Sequence, residues 1–116
     1  MKQYQVVFHL SEESIDDVTF ALNNILNLLN DLGSEKVDVE LLVNGPAVKA
    51  FKAEGEEISG LLSQVLEQDV DLALCNNALK KYDLSPDIMR SEARVVPSGV
   101  GELVRRQTEG WAYIRP

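Results

Sequence analysis

The sequence predicts an α/β protein, a three-layer α/β/α sandwich around a mostly parallel five-stranded sheet. Short apolar, β-prone segments alternate along the chain with segments whose apolar residues recur every three or four positions. Turn and capping residues separate these segments, and right-handed crossovers between strands place helices on both faces of the sheet. No repeat, low-complexity tract or linker interrupts the chain, so we expect residues 1–116 to form a single domain.

Each element is supported by its local pattern. Runs rich in Val, Leu, Phe, Tyr or Ile predict strands at residues 3–10, 37–43, 70–75, 94–96 and 111–114. Helical spacing or a helix-start signal predicts a first helix that begins within 11–14 and ends at 33, and further helices at 46–51, 58–66, 76–82 and 98–108, with one helical turn from 85. An acidic turn at 54–57 separates the second helix from the third.

The first two helices carry clear start and stop residues. Ser14 and Asp17 have the spacing of a capping box, and the acidic residues around them lie near the positive end of the helix dipole. Gly33 suits the position that follows the last turn of a helix. Pro46 suits the first position of the short second helix, because its missing N–H is not needed there.

The composition restricts the classes of function. Eleven Lys and Arg against nineteen Asp and Glu leave a formal net charge of −8, which argues against a nucleic-acid or anionic-lipid partner. A single cysteine excludes an internal disulfide, and one histidine without an HExxH motif argues against a metal site. We find neither a targeting segment nor an apolar run long enough to span a membrane. We therefore expect a cytoplasmic protein with no membrane partner.

Ligands of parallel α/β sheets bind beyond the carboxyl ends of the strands. The residues predicted at that edge are His9-Leu10, Asn44-Gly45, Cys75-Asn76 and Pro97-Ser98. Cys75 is the most informative, because it directly precedes a helix for which Asn76 or Asn77 is the expected N-cap. Free N–H groups and the helix dipole lower a thiol pKa at such a position. Alternatively, Cys75 is an inert core residue, since free cysteines are commonly buried.

His9 ends the first predicted strand at the same edge of the sheet. It is a candidate base or substrate-orienting residue, or simply a hydrogen-bonded structural one. Its reach depends on the strand order, because neighbouring strands lie about 4.8 Å apart. With one strand between His9 and Cys75, their separation becomes roughly 10 Å and direct proton transfer fails.

Two further rim segments are candidates for binding an anion. Ser98-Gly99 begins the last predicted helix, whose backbone N–H groups are suited to an anion. Asn44-Gly45 ends the second strand at the same edge. Neither segment belongs to a Walker or dinucleotide-binding motif, so a helix cap at Ser98 and a turn at Asn44-Gly45 are the simpler interpretations.

Two segments resemble the DsrE/DsrF-like family. VDLALCNNAL at residues 70–79 is similar to that family's strand–Cys–x–x–Ala–Leu segment, and VVPSGVGELVRRQ at 95–107, with GWAY at 110–113, is similar to the end of its small single-domain members. The opening strand and long helix also fit, so the resemblance covers nearly the whole chain. It implies a parallel five-stranded domain in strand order 4-3-2-1-5, with strand two between His9 and Cys75. It also implies homo-oligomers, from dimers to hexamers.

The resemblance implies a function as well. Family members with an established role are cytoplasmic sulfur carriers in tRNA thiolation or sulfur oxidation. In them a cysteine at the position of Cys75 accepts sulfur as a persulfide from a donor protein and passes it to an acceptor, without a metal or cofactor. We therefore expect a persulfide carrier that uses Cys75. The alternatives are a non-enzymatic homo-oligomeric module that binds a small ligand or protein, with an inert cysteine, and a small-anion or nucleotide binder.

Overall fold

Two seven-residue strands form the centre of a parallel sheet in the computed structural model, which describes residues 2–116. β1 (Tyr4–Leu10) and β2 (Val37–Val43) pair along their full length. β3 (Asp71–Cys75) and β4 (Arg94–Val96) follow beyond β2, and β5 (Ala112–Ile114) lies beyond β1. The strand order in the described residues is β4-β3-β2-β1-β5, and every pair is parallel. The predicted fold class and strand order are therefore confirmed.

Helices connect the strands close to the predicted positions. The α-helices are α1 (Ile15–Leu32), α2 (Ser59–Leu66), α3 (Asn76–Lys81) and α4 (Gly99–Thr108), and 3-10 segments span Ser34–Lys36, Gly45–Phe51 and Pro86–Ile88. The short helix predicted after residue 46 is thus a 3-10 helix, the tighter winding common in short connectors. Trp111 precedes β5 and is not its first residue; its ring centroid lies 4.3 Å from Cζ of Arg106.

The two faces of the sheet bury cores of different size. Alternate residues of a strand point to opposite faces, so Phe8 joins the larger core and Val7 the smaller one. α1 packs on β1 and β2 over the larger core, whereas α4 contacts β2 and β5 over the smaller one. No helix within residues 2–116 is both long and apolar enough to cross a membrane.

Candidate functional site

The position of Cys75 is set by a direct passage from strand to helix. β3 ends at Cys75 and α3 begins at Asn76 with no loop between them. Cys75 itself therefore occupies the N-cap position, with φ −73° and ψ 117°. The prediction that Asn76 or Asn77 caps this helix is wrong, because both residues already lie inside the first helical turn. The side chain of Cys75 accepts no capping hydrogen bond in the described structure.

Cys75 lines a shallow, open cavity at the carboxyl edge of the sheet. Only 6% of the residue is exposed, and the cavity beside it has a volume of about 270 Å³. Its walls come from Cys75 at the end of β3, from the residues that follow β2, and from α3 and the start of α4: Asn44, Gly45, Cys75, Asn77, Ala78, Lys81, Ser98, Gly99 and Val100. Half of the residues predicted at this edge therefore line the cavity: Asn44, Gly45, Cys75 and Ser98 do, whereas His9, Leu10, Asn76 and Pro97 do not.

The start of α4 packs directly against the end of β2. Ser98 caps α4 as predicted, and its Oγ accepts a hydrogen bond from the N–H of Gly101 at 3.0 Å. A Cβ added to Gly99 would lie 2.8 Å from Cβ of Asn44 and 3.1 Å from its Nδ2. That approach is too close for a side chain, so glycine at position 99 lets the two cavity walls touch.

One lysine, Lys81 of α3, lines the cavity, although the chain as a whole is acidic. Its Nζ lies 5.6 Å from the ring centroid of Tyr82. Nζ of Lys49 lies 4.3 Å from the same centroid and 3.7 Å from Oε2 of Glu13. The Tyr82 ring thus lies close to two ammonium groups.

His9 lies on the far side of β2 from Cys75 and contacts other residues. Its Nδ1 lies 2.7 Å from the hydroxyl of Tyr113, and its Nε2 lies 2.9 Å from Oδ1 of Asn44. Burial lowers the pKa of His9 below its ordinary 6.5, the hydrogen bond to Asn44 opposes this, and the charge of Arg115 lowers it further. β2 separates the strands of His9 and Cys75, as the resemblance implied, so the structure offers no direct contact between the two side chains.

A buried charge cluster under α4 was missed by the sequence analysis. Glu40, in the middle of β2, has no exposed surface, and its Oε1 lies 2.6 Å from Nε of Arg106 and 3.3 Å from Nη2 of Arg94. The same Arg94 nitrogen lies 2.9 Å from Oε2 of Glu102 and 2.7 Å from Oδ2 of Asp71. The one signal in the sequence is an acidic residue between apolar neighbours in the most buried strand.

The pKa values of the two glutamates of this cluster move in opposite directions. Burial, and then the hydrogen bond with Glu102, raise the pKa of Glu40 to about 7. Burial also acts on Glu102, but hydrogen bonds from Glu40, Arg94 and Arg105 outweigh it and lower the Glu102 pKa to about 2. Glu40 Oε2 is buried without a hydrogen-bond partner among residues 2–116. A proton on Glu40, which its raised pKa favours, would let Oε2 donate to ionised Glu102.

The fold and the site define a class of protein: a parallel α/β domain with a cysteine at the carboxyl end of the third strand, facing the first turn of the last helix. The chain matches the model of the DsrE/DsrF-like family over residues 2–116 and belongs to that family. A comparison with curated proteins finds no significant match. No group of three or more His, Cys, Asp or Glu side chains suited to a metal ion occurs in the described part of the chain.

Solved structures support the same fold. The protein of unknown function MTH1491 from Methanobacterium thermoautotrophicum is 40% identical with a TM-score of 0.90, and the match covers 97% of this chain and 99% of that one. The ychN protein from E. coli is 17% identical with a TM-score of 0.74 over the whole of both chains. The conserved protein BT1422 from Bacteroides thetaiotaomicron is 16% identical with a TM-score of 0.76, covering 97% of this chain and 94% of that one.

Proposed function

We propose that the protein is a cytoplasmic sulfur carrier that holds sulfane sulfur on Cys75 as a persulfide. The observation that carries the proposal is the placement of the only thiol of the sequence on the wall of an open cavity at the carboxyl edge of the sheet. Membership of the DsrE/DsrF-like family, which is associated in general with sulfur relay, adds support.

The transfer needs one cysteine and no external oxidant. The Cys75 thiolate attacks the outer sulfur of a donor persulfide, R–S–SH; the donor S–S bond breaks, R–S⁻ leaves, and Cys75–S–SH forms. An acceptor thiolate then attacks the same outer sulfur, and Cys75 leaves as the thiolate. The transferred sulfur keeps its proton and its oxidation state throughout. Both steps require that donor and acceptor reach Cys75 through the cavity.

The surroundings of Cys75 are suited to an anionic sulfur atom. The N–H groups of the first turn of α3 have no partner within the helix, and Cys75 stands at its N-cap. Lys81 adds a positive charge to the cavity wall. Positive potential here stabilises Cys75 as the leaving thiolate of the second step.

The direct test is uptake of sulfur by the folded protein. After incubation with a small persulfide donor, we expect intact-mass analysis to show one added sulfur atom, which cyanide then removes. Cys75→Ser is the matched control and gains nothing. Sulfur uptake that occurs only in urea, on the unfolded chain, would contradict the proposal.

The small exposed fraction of Cys75 favours one alternative, a homo-oligomeric binding module with an inert thiol. The uptake experiment decides between the two functions, because an inert cysteine stays unmodified in the folded state.

We propose a homo-oligomer in either case. Val100 and Val104 on α4 and Tyr113 on β5 leave apolar surface exposed. Light scattering after size exclusion tests this, and a monomer at all concentrations would contradict it.

A further inference from the structure

The contacts of His9 fix which of its ring nitrogens carries the proton. Nδ1 lies 2.7 Å from the Tyr113 hydroxyl and 3.4 Å from Nη1 of Arg115. A guanidinium group can only donate hydrogen bonds, so Nδ1 accepts. Burial lowers the pKa of His9 below its ordinary 6.5, which favours the neutral ring at pH 7. Its remaining N–H is therefore on Nε2.

This proton in turn orients the side-chain amide of Asn44. Nε2–H of His9 donates to Oδ1 of Asn44 at 2.9 Å. The opposite amide orientation would set an NH₂ group against Nε2–H, donor against donor, and lose the hydrogen bond. With Oδ1 held by His9, Nδ2 lies on the side of α4, 3.1 Å from where a Cβ on Gly99 would be.

Asn44 connects His9 to the cavity of Cys75. Asn44 and Gly99 both line the cavity, together with Cys75. Strand β2, which ends just before Asn44, separates His9 from Cys75. Hence His9 does not reach the thiol, but the residue that it orients stands on the same cavity wall.

We infer that Asn44 supplies an amide N–H donor to anionic sulfur at Cys75, and that His9 is the positioning residue that keeps this donor turned toward the cavity. The inference rests on the proposed function and deepens it. The amide stabilises the Cys75 thiolate or the terminal sulfur of its persulfide by a hydrogen bond to a charged acceptor. No proton or other atom passes to or from His9 or Asn44, so the balance of the transfer steps is unchanged.

Two substitutions of His9 separate positioning from packing. Glutamine places its side-chain nitrogen near the position of Nε2 and keeps a donor for Asn44, whereas asparagine is too short and loses it. The readout is the pH profile of Cys75 alkylation by a small neutral reagent in the folded protein. We expect His9→Asn to raise the apparent thiol pKa by about one unit, or about tenfold less thiolate at pH 7. His9→Gln should leave the profile near that of the parent.

Asn44 variants provide an independent route if a His9 variant fails to fold. Asn44→Ala removes the donor and should raise the apparent thiol pKa as His9→Asn does. Asn44→Asp replaces the donor by a carboxylate of similar size and should raise it further. An unchanged profile in the folded Asn44→Asp protein, or equal profiles for His9→Gln and His9→Asn, would overturn the inference.

Sulfur uptake, measured separately on the same variants, distinguishes this inference from the proposed function. If the thiol pKa shifts as expected but no persulfide forms, the roles of His9 and Asn44 stand and the carrier function falls. If the persulfide forms equally well and no profile shifts, the carrier function stands and the inference falls. A thiol that the reagent never reaches in the folded parent at any pH overturns both.

Discussion

Nε of Arg106 on α4 lies 2.6 Å from Oε1 of Glu40 on β2, and Glu40 has no exposed surface. The contact joins residues 66 positions apart. This ion pair connects α4 to the centre of the sheet. It therefore also helps to keep the first residues of that helix at the wall of the Cys75 cavity. Removing a charge from water is costly, and the guanidinium group of Arg106 compensates this buried carboxyl group.

Arg106→Met should destabilise the protein strongly, because it leaves Glu40 buried without its closest cation. We expect the free energy of unfolding, from urea denaturation at pH 7, to fall by about 2–3 kcal/mol. Arg105→Met is the matched control, since Arg105 reaches the cluster from a half-exposed position. It should cost less than about 1 kcal/mol. Equal losses for the two variants would show that the buried pair does not hold α4.

The glutamate pair predicts how stability depends on pH. The Glu40 pKa is about 7 in the folded state, against an ordinary value of 4.5. The stabilisation that comes from this raised pKa is therefore fully present below about pH 4.5 and is lost as the pH rises toward 7. The Glu102 pKa is about 2, so its contribution is present above about pH 4.5 and is lost as the pH falls toward 2. We therefore expect the cluster to be most stabilising near pH 4.5 to 5.

Glu40→Gln tests this dependence. Glutamine keeps the shape and can donate to Glu102, but it has no proton to lose between pH 4.5 and 7. Compared with the parent, the variant should lose less stability between pH 5 and 8, by up to about 3 kcal/mol. Urea denaturation across this range is the measurement. Glu102→Gln should instead reduce the loss of stability below pH 4.5. Identical pH profiles for the two variants would contradict a raised pKa for Glu40 and a lowered pKa for Glu102.

Gly99→Ala should disturb the contact between α4 and Asn44. The new Cβ would stand 2.8 Å from Cβ of Asn44, which we expect to cost about 1–3 kcal/mol in unfolding free energy. Gly60 in α2 is the control, because nothing lies within 4 Å of a Cβ added there. Gly60→Ala should stabilise by up to about 1 kcal/mol. Thermal unfolding of both variants is the measurement. A Gly99→Ala protein that is more stable than the parent would contradict the close approach of Gly99 to Asn44.

Val100→Trp should slow access to Cys75. Val100 is 66% exposed and lines the cavity, whereas Val104, one turn further along α4, is 64% exposed and does not line it. A tryptophan at 100 should therefore reduce the alkylation rate of Cys75 several-fold with little change in stability. Val104→Trp should leave the rate unchanged. If both variants slow the reaction equally, reagents reach the thiol by another route.

The sheet was predictable because its signal is local. Each strand carries a continuous apolar run that the segments flanking it in the sequence lack. The observed bounds of β2 and β4 equal the predicted ranges. The strand order came from the resemblance and not from periodicity. The cap of α3 was mispredicted because asparagine favours the N-cap in general, whereas here the chain passes from strand to helix already at Cys75.

The contacts that organise the site were not predictable in the same way. Glu40 and Arg106 meet only because α4 crosses β2, and no local pattern links positions so far apart. Likewise, the sequence allows His9 to be a hydrogen-bonded structural residue but does not indicate its partner. Its actual partner, Asn44, follows the neighbouring strand, and that contact depends on side-chain orientation at two strand ends. Periodicity predicts which face a residue occupies, but it does not predict which polar atoms meet there.

The lengths of the outer strands bear on self-association through the backbone. β4 and β5, at the two margins of the sheet, each contribute three residues, while the seven-residue strands β1 and β2 are enclosed between neighbours. An incoming extended peptide therefore finds only a short ladder of free N–H and C=O groups at either margin. Such brevity is a recognised protection against fibril-like growth, so the homo-oligomer proposed above would form through side chains and not through strand addition.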